Sequence, residues 1–491
     1  MKKNQLGITV SKEENFSEWY SQLVDKAQLA DIRFGIQGFL VHKPWGYYII
    51  RKIYEYLEEE VDRQGHLQYL FPISVKEKNL TKESEHARFT PEVFWVSEAG
   101  TKKIEERFAL RPTGEAQIYP MYSLWFRSHN DLPYRGYQSR ISVFRNEMTT
   151  RPFLRGKEFL FFETHDVFNT HEEGLEQIDD DLKTCKNVIQ DKIKIPFLYF
   201  KRPSWDHFLG AIDTFTPDTL MPDGKRNQLA STHDLGQNFS KAYDIKVEGE
   251  DKKEYHVWQT CFGPGIVRIM AALIGIHGDD KGLIIPFDMP QVQIVIIPVV
   301  FKDKVESKKV ISRSKEIQTK LRELGYRVEL DLSEDSPGFK YNKWELLGVP
   351  LRIEIGPREV KENSLTLSLR TDDKKRNMRL SKLSETVVKL GKKIDRDIQK
   401  KADEYFENST RKVSTFKEVK DVIKKYKGFI KAPFCSVEED GEKCADKLKA
   451  ETEGGYVCGT LYPKKEKPRS GQKCIVCNKK ANHTVYIAKS Y

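Results

Sequence analysis

Apolar and polar positions along the chain follow two rhythms. Over Tyr47 to Val61 (YYIIRKIYEYLEEEV) apolar residues recur every three or four positions, and Gly65 follows. This predicts an amphipathic helix. From Gln291 the rhythm changes repeatedly. VQIVIIPVV predicts a strand, 304–324 a helix, YRVELDL a strand, 338–347 a helix, and PLRIEIG and SLTLSLR two more strands. That order predicts a compact α/β domain of about 100 residues. From Lys392 a lysine-rich helical stretch (KKIDRDIQKKADEYFEN) leads into a segment with five of the seven cysteines. The chain therefore divides at 1–290, 291–391 and 392–491, and it contains no internal repeat.

The first part carries most of the chemistry. In Ser139 to Phe168, SRISVFRNEM alternates so that Ile141, Val143, Arg145 and Glu147 share one face of a strand. After the turn-prone TTRPFLRG, the strand KEFLFFETHDVF places Phe159, Phe161, Glu163 and His165 on one face. The hairpin would then present Arg145, Glu147, Glu163 and His165 to a common surface, with Arg151 and Arg155 in its loop. So many charges on apolar strands are costly unless paired or bound to a ligand. Two readings stand side by side: a structural Arg–Glu ladder, or an anion site with an arginine fork for phosphate. Further on, Gly263-Pro-Gly265-Ile-Val-Arg268 opens the apolar run IMAALIGIHG. An arginine in the first turn of such a helix calls for an anion, and the helix N-terminus would help to bind it.

Composition narrows the setting. Of 491 residues 38% are hydrophobic and 32% charged, with a net charge of +10, which suits a soluble globular chain with a polyanionic partner. The longest apolar run, Val292 to Phe301, is half the length a membrane span needs. MKKNQLGITVSKEENF lacks the apolar core of a secretory signal. Seven cysteines are too few for a disulfide scaffold, so a cytoplasmic protein with no membrane partner is expected. Cys474-Ile-Val-Cys477, with the looser pair Cys435 and Cys444, predicts a closed tetrahedral zinc site. His483 is a possible substitute ligand, and Cys185 and Cys261 read as core or pocket-wall residues. Phe339, Tyr341 and Trp344 lie among Lys340, Lys343, Glu345 and Arg352. Aromatics interleaved with cations suit stacking on unpaired bases, although Trp344 reads equally well as core.

Leu70-Phe-Pro72 after a long helix, the Arg145-x-Glu147 hairpin and the Gly263-x-Gly-x-x-Arg268 helix resemble the three motifs of class II aminoacyl-tRNA synthetases. ALRPTGEAQIYPMY, TRPFLRGKEF, STHDLGQNFS, GIHGDDKGL and GFKYNKWELLGVPLRIEIGPRE resemble the prolyl-tRNA synthetase family in its archaeal and eukaryotic-type form. Only 123 residues separate Arg145 from Arg268 (268 − 145), which leaves no room for a large editing insertion.

The resemblance implies an α/β (α+β) fold: an antiparallel-sheet catalytic domain, an α/β anticodon-binding domain and a small C-terminal zinc-binding domain. It implies a homodimer that joins L-proline to tRNA(Pro) using ATP and Mg²⁺. Arg145 would hold the α-phosphate and Arg268 the γ-phosphate. Glu147 and Arg155 would position the adenine side. Gln228 and Ser231 would serve the nucleotide, Gln228 with its Mg²⁺. Thr113 and Glu115 would grip the imino group, with His233, Glu163 and His165 lining the same pocket. Tyr341, Glu345 and Arg352 would meet anticodon bases, and Cys435, Cys444, Cys474 and Cys477 would hold structural Zn²⁺. Gly114 stands where the family usually has serine, and Thr164 where it has glycine or alanine. These departures keep open a synthetase relative acting on another amino acid. A non-catalytic tRNA-binding regulator is the alternative of a different class.

Overall fold

We describe the protein from a computed structural model covering residues 7–80, 92–300, 303–425 and 428–491. Met1 to Leu6 of the N-terminal segment, and Phe301 of the apolar run, lie outside those residues. The helical rhythm at 47–61 becomes a helix over Pro44–Arg63, with Pro44 in its first turn, where a missing N–H costs nothing. Its buried side, including Ile49, Ile50, Ile53 and Leu57, packs with the apolar helix Ile266–His277 against a large sheet.

That sheet has twelve strands. Its central run is antiparallel: Leu198–Lys201, Asp213–Leu220, Ala230–Gly236, Trp258–Pro264, Glu158–Phe168 and Tyr134–Phe144. Along Glu158–Phe168 the pleat sends Phe162 into the helical layer and Phe161 and Glu163 to the opposite face. On the far side of Leu198–Lys201 the same sheet continues into Tyr456–Leu461, His483–Ser490, Phe429–Phe434 and Thr410–Lys412. The short strand Lys225–Gln228 pairs with Asp213–Leu220 and also, in parallel, with His483–Ser490.

A separate five-stranded sheet is ordered Val328–Leu330, Ile294–Pro298, Leu351–Ile355, Ser364–Leu369 and Lys375–Arg379. Its helices Lys304–Glu323 and Pro337–Leu346 fall where the pattern predicts them. The lysine-rich stretch beyond 392 belongs to one helix, Leu383–Glu407, of 25 residues. This helix crosses the expected boundary at 391–392 without a break. Its residues Leu383 to Ile398 pack into the core of the five-stranded sheet. Among the described residues no helix is long and apolar enough to cross a membrane.

Candidate active site

A cavity of about 440 Å³ opens on the face of the large sheet opposite the helical layer. Thr214, His233, Cys261 and His165 are successive cross-strand partners on that face. Thr113, Glu115, Glu163 and His233 line one stretch of the wall, and Arg145, Glu147, Gln228, Ser231 and Arg268 another.

The alternation that placed Arg145 and Glu147 on a strand overshoots. The Tyr134–Phe144 strand ends one residue earlier, and both side chains enter the cavity from the loop beyond it. The loop stays extended because the Arg145 N–H still donates to the Lys157 carbonyl at 3.0 Å. Arg155 donates to Glu147 at 3.4 Å beside the cavity without lining it. Arg151 turns away altogether, over the rings of Tyr20 and Tyr491. His165 is also absent from the cavity wall. The Glu115–Trp125 helix covers it, with the Tyr119 hydroxyl 2.9 Å from its Nδ1.

His165 reaches the cavity wall only through Glu163, whose Oε2 lies 3.1 Å from its Nε2, while Gln138 donates to Glu163 Oε1 at 2.6 Å. Burial alone would raise the Glu163 carboxyl and lower the imidazole. Their mutual hydrogen bond and charge outweigh it, so Glu163 is held below its ordinary value and His165 above. Glu115 is left as the weakly compensated carboxyl. Burial raises it and the Glu163 charge adds to this, against the opposing charge of His165 and the Thr113 hydroxyl, which donates to its Oε2 at 2.5 Å. Gly114 has a steric reason to be glycine. A Cβ there would run into the Glu163 carboxylate, which Gln138 and His165 fix in place. His233 is pushed down to about 3, by burial first and then by His207 and His165, and its Nδ1 lies 3.0 Å from the Thr214 hydroxyl. It is therefore neutral. The Cys261 thiol is raised by burial and by nearby carboxylates, so it is protonated and inert.

At the other stretch, Arg268 sits in the first turn of Ile266–His277 and is lowered to about 10. Burial is the main cause, followed by the charges of Arg145, Arg226 and Arg155. A half-buried arginine opposed by three others, with Glu147 on the opposing side of the balance, is a site that favours an anion. Sequence reasoning missed Arg202, Arg226 and Asp218. Both arginines line the cavity and share Asp218, at 2.9 and 2.7 Å, and Arg202 also donates to Gln228 Oε1 at 3.2 Å.

The tRNA synthetase class II core domain family (G, H, P, S and T) matches residues 94–277, an anticodon binding domain family matches 293–390, and the prolyl-tRNA synthetase C-terminal family matches 416–491. The chain is 48% identical to the proline–tRNA ligase of Thermofilum pendens, over 99% of this chain and all of that one. It is 38% identical to the Pyrococcus horikoshii enzyme, over 97% and 98%. The chain belongs to the prolyl-tRNA synthetase family. The Giardia lamblia family member solved with prolyl-adenylate superposes with a TM-score of 0.94 at 32% identity, covering 99% of this chain and all of that one. The Cryptosporidium parvum member solved with L-proline and AMP gives 0.92 at 31%, covering 99% and 98%.

The other two expected sites assemble as well. Arg352 donates to Glu345 at 2.8 Å and lies 4.0 Å over the Tyr341 ring, so all three residues meet on one surface, beside Glu354. Trp344 is core, its indole donating to Asp331 at 2.7 Å. The sulfurs of Cys435, Cys444, Cys474 and Cys477 all lie within 4.8 Å of one another, and His483 stands outside the group. Cys435 and Cys444 sulfurs are 3.7 Å apart. That is close to the roughly 3.8 Å edge of a thiolate tetrahedron with zinc–sulfur bonds of about 2.3 Å.

Proposed function

We propose that the cavity joins L-proline to AMP and passes the prolyl group to tRNA, the activity of a proline–tRNA ligase. The observation that carries this is the pairing of an arginine-rich stretch with a buried carboxyl, Glu115, one of whose oxygens meets only the Cys261 thiol. ATP would supply negative charge to the arginines, and the secondary ammonium of proline a donor to the free Glu115 oxygen. The proline carboxylate attacks the α-phosphorus, the bond to the β-phosphate oxygen breaks, and pyrophosphate leaves. A tRNA 3′-terminal hydroxyl then attacks the prolyl carbonyl and AMP departs. Neither step needs a protein nucleophile, which fits a wall where His233 is neutral and the Cys261 thiol is protonated. Positioning and charge stabilisation do the work.

Within this reading Arg145 and Arg268 serve the phosphates, Glu147, Arg155, Gln228 and Ser231 the rest of the nucleotide, and Thr113, Glu115, Glu163 and His233 the amino acid, with His165 orienting Glu163. Glu147 and Gln228 offer the hard oxygens that would hold Mg²⁺ against the phosphates, where it would neutralise charge. Four clustered thiols support a structural Zn²⁺, with no open position for catalysis. Tyr341, Glu345 and Arg352 present a stacking face with donors and acceptors to anticodon bases. Leu67, Leu70, Ile73, Leu124 and Trp125 are exposed together, with Leu70 79% exposed, and this favours a homodimer that buries them. Seven unbridged cysteines suit the cytoplasm. We carry forward the division into catalytic, anticodon-binding and zinc-binding parts, moving the last boundary to the end of the Leu383–Glu407 helix. Amino-acid-dependent pyrophosphate exchange across all twenty substrates tests the function. Proline should dominate. A different preferred amino acid, or no exchange, would overturn the reading.

A further inference from the structure

The geometry points to Tyr456, together with the main-chain carbonyl of Cys458, as a positioning residue for the nucleotide end of the cavity, acting through Arg226 and Arg202. Both groups belong to the C-terminal strand Tyr456–Leu461 and neither lines the cavity. The inference rests on reading the cavity as the ATP and proline site.

Arg226 is 8% exposed, and its one side-chain hydrogen bond to a carboxylate runs from Nη1 to Asp218. Its Nε is buried with no partner. A guanidinium anchored at one corner is free to rotate about that corner. What fixes its plane is the Tyr456 ring, whose centroid lies 4.4 Å from Cζ. Burial first, and then the charge of Asp206, another wall residue, raise the Tyr456 hydroxyl, which therefore stays protonated. Arg202 is held the same way from the same strand: its Nη1 donates to the Cys458 carbonyl at 2.7 Å while its Nη2 reaches Asp218 and Gln228.

The strand is shaped for this task. Its register slips between Val457 and Gly459, which frees the Cys458 carbonyl from the ladder. Gly459 has φ near 130°, and a side chain there would strike the Lys201 carbonyl, so only glycine permits the close approach. Arg202 and Arg226 share Asp218, and Arg202 also pairs with Asp206 at 3.7 Å. The C-terminal strand decides where the two guanidiniums point.

The test is steady-state pyrophosphate exchange by the full-length protein carrying Tyr456→Leu, Tyr456→Phe, Arg226→Lys or Tyr456→Leu with Arg226→Lys. Removing the ring should raise the KM for ATP roughly fivefold to thirtyfold, the span of a desolvated cation–π contact. The KM for proline should stay within about twofold, with zinc content and melting temperature unchanged. Tyr456→Phe keeps the ring face and should stay within about twofold of wild type for ATP. In the Arg226→Lys background the leucine substitution should add little. Wild-type ATP kinetics for Tyr456→Leu would overturn the proposal. So would multiplicative losses in the double variant, or equal rises in both KM values accompanied by zinc loss. Should the leucine variant not fold, Tyr456→Met replaces it with the same expectations. Arg145→Ala separates the two levels. If it retains exchange, the cavity assignment itself falls. If it is inactive while Tyr456→Leu is normal, only the C-terminal support is refuted.

Discussion

Glu115→Gln keeps the shape of the amino-acid pocket and removes one charge. In the structure Glu115 Oε2 accepts from Thr113, and Oε1 meets only the weakly donating Cys261 thiol, at 3.9 Å. Glu163 has both oxygens engaged by Gln138 and His165. The proline ammonium should therefore pair with Glu115. A charge-assisted hydrogen bond contributes about 1.5–3 kcal/mol, and about 1.4 kcal/mol is a factor of ten. Glu115→Gln should thus raise the KM for proline roughly tenfold to a hundredfold and leave the KM for ATP nearly unchanged in pyrophosphate exchange. The sign of the pH dependence follows from the raised carboxyl. Proline needs the ionised form, so the wild-type KM for proline should climb as pH falls through that raised value, and the glutamine variant should lose this climb. For stability the sign is opposite. A raised carboxyl favours the folded state only while protonated, and that contribution is lost as pH rises through the raised value. At neutral pH Glu115→Gln should therefore melt higher than wild type while binding proline worse. A rise in the KM for ATP instead, or weakened proline binding in Glu163→Gln alone, would refute the assignment.

Arg145→Ala and Arg268→Ala should each abolish adenylate formation without lowering the melting temperature, since both line the cavity and Arg268 faces like charges; near-normal exchange by either would count against the phosphate assignment. Elemental analysis should find about one zinc per chain, and Cys474→Ser or Cys477→Ser should lower the melting temperature more than the exchange rate, because a closed thiolate site cannot act as a Lewis acid. Metal-free protein with unchanged melting would remove that site. Light scattering at micromolar concentration should give a dimer, and Leu70→Glu, placed on the exposed apolar surface, should shift it towards monomer.

Periodicity located the Pro44–Arg63 helix because one face is buried and the other wet, and short apolar or alternating runs located the central strands of the five-stranded sheet, which are buried along almost their whole length. It erred where polarity does not report geometry. Charges at alternating positions look alike on a strand and on the extended loop that carries Arg145 and Glu147. The pleat put His165 on the correct face, but the cover supplied by Tyr119, 46 residues earlier, leaves no mark in local sequence. Arg202, Arg226 and Asp218 escaped for the same reason: their meaning lies in sharing one carboxylate across separate strands. The loose Cys435–Cys444 spacing is resolved by the fold, since Cys435 follows a strand end and Cys444 sits in the Glu442–Glu451 helix above it.

The fusion of Tyr456–Leu461 onto Leu198–Lys201 has a consequence for how the chain is made. Thr460 pairs with Lys201, so 259 positions (460 − 201) must be synthesised before that edge is closed. The five-stranded sheet is complete well before then and depends on neighbours close in sequence. Until the late strands arrive, Leu198–Lys201 is an open edge, the kind of surface that recruits other chains into aggregates. Long-range pairing of this sort is also slow. The expected order of folding is thus middle part first and the two outer parts last, together. A catalytic fragment cut before residue 410 should be hard to keep soluble, whereas the five-stranded sheet with its helices is the piece suited to independent expression.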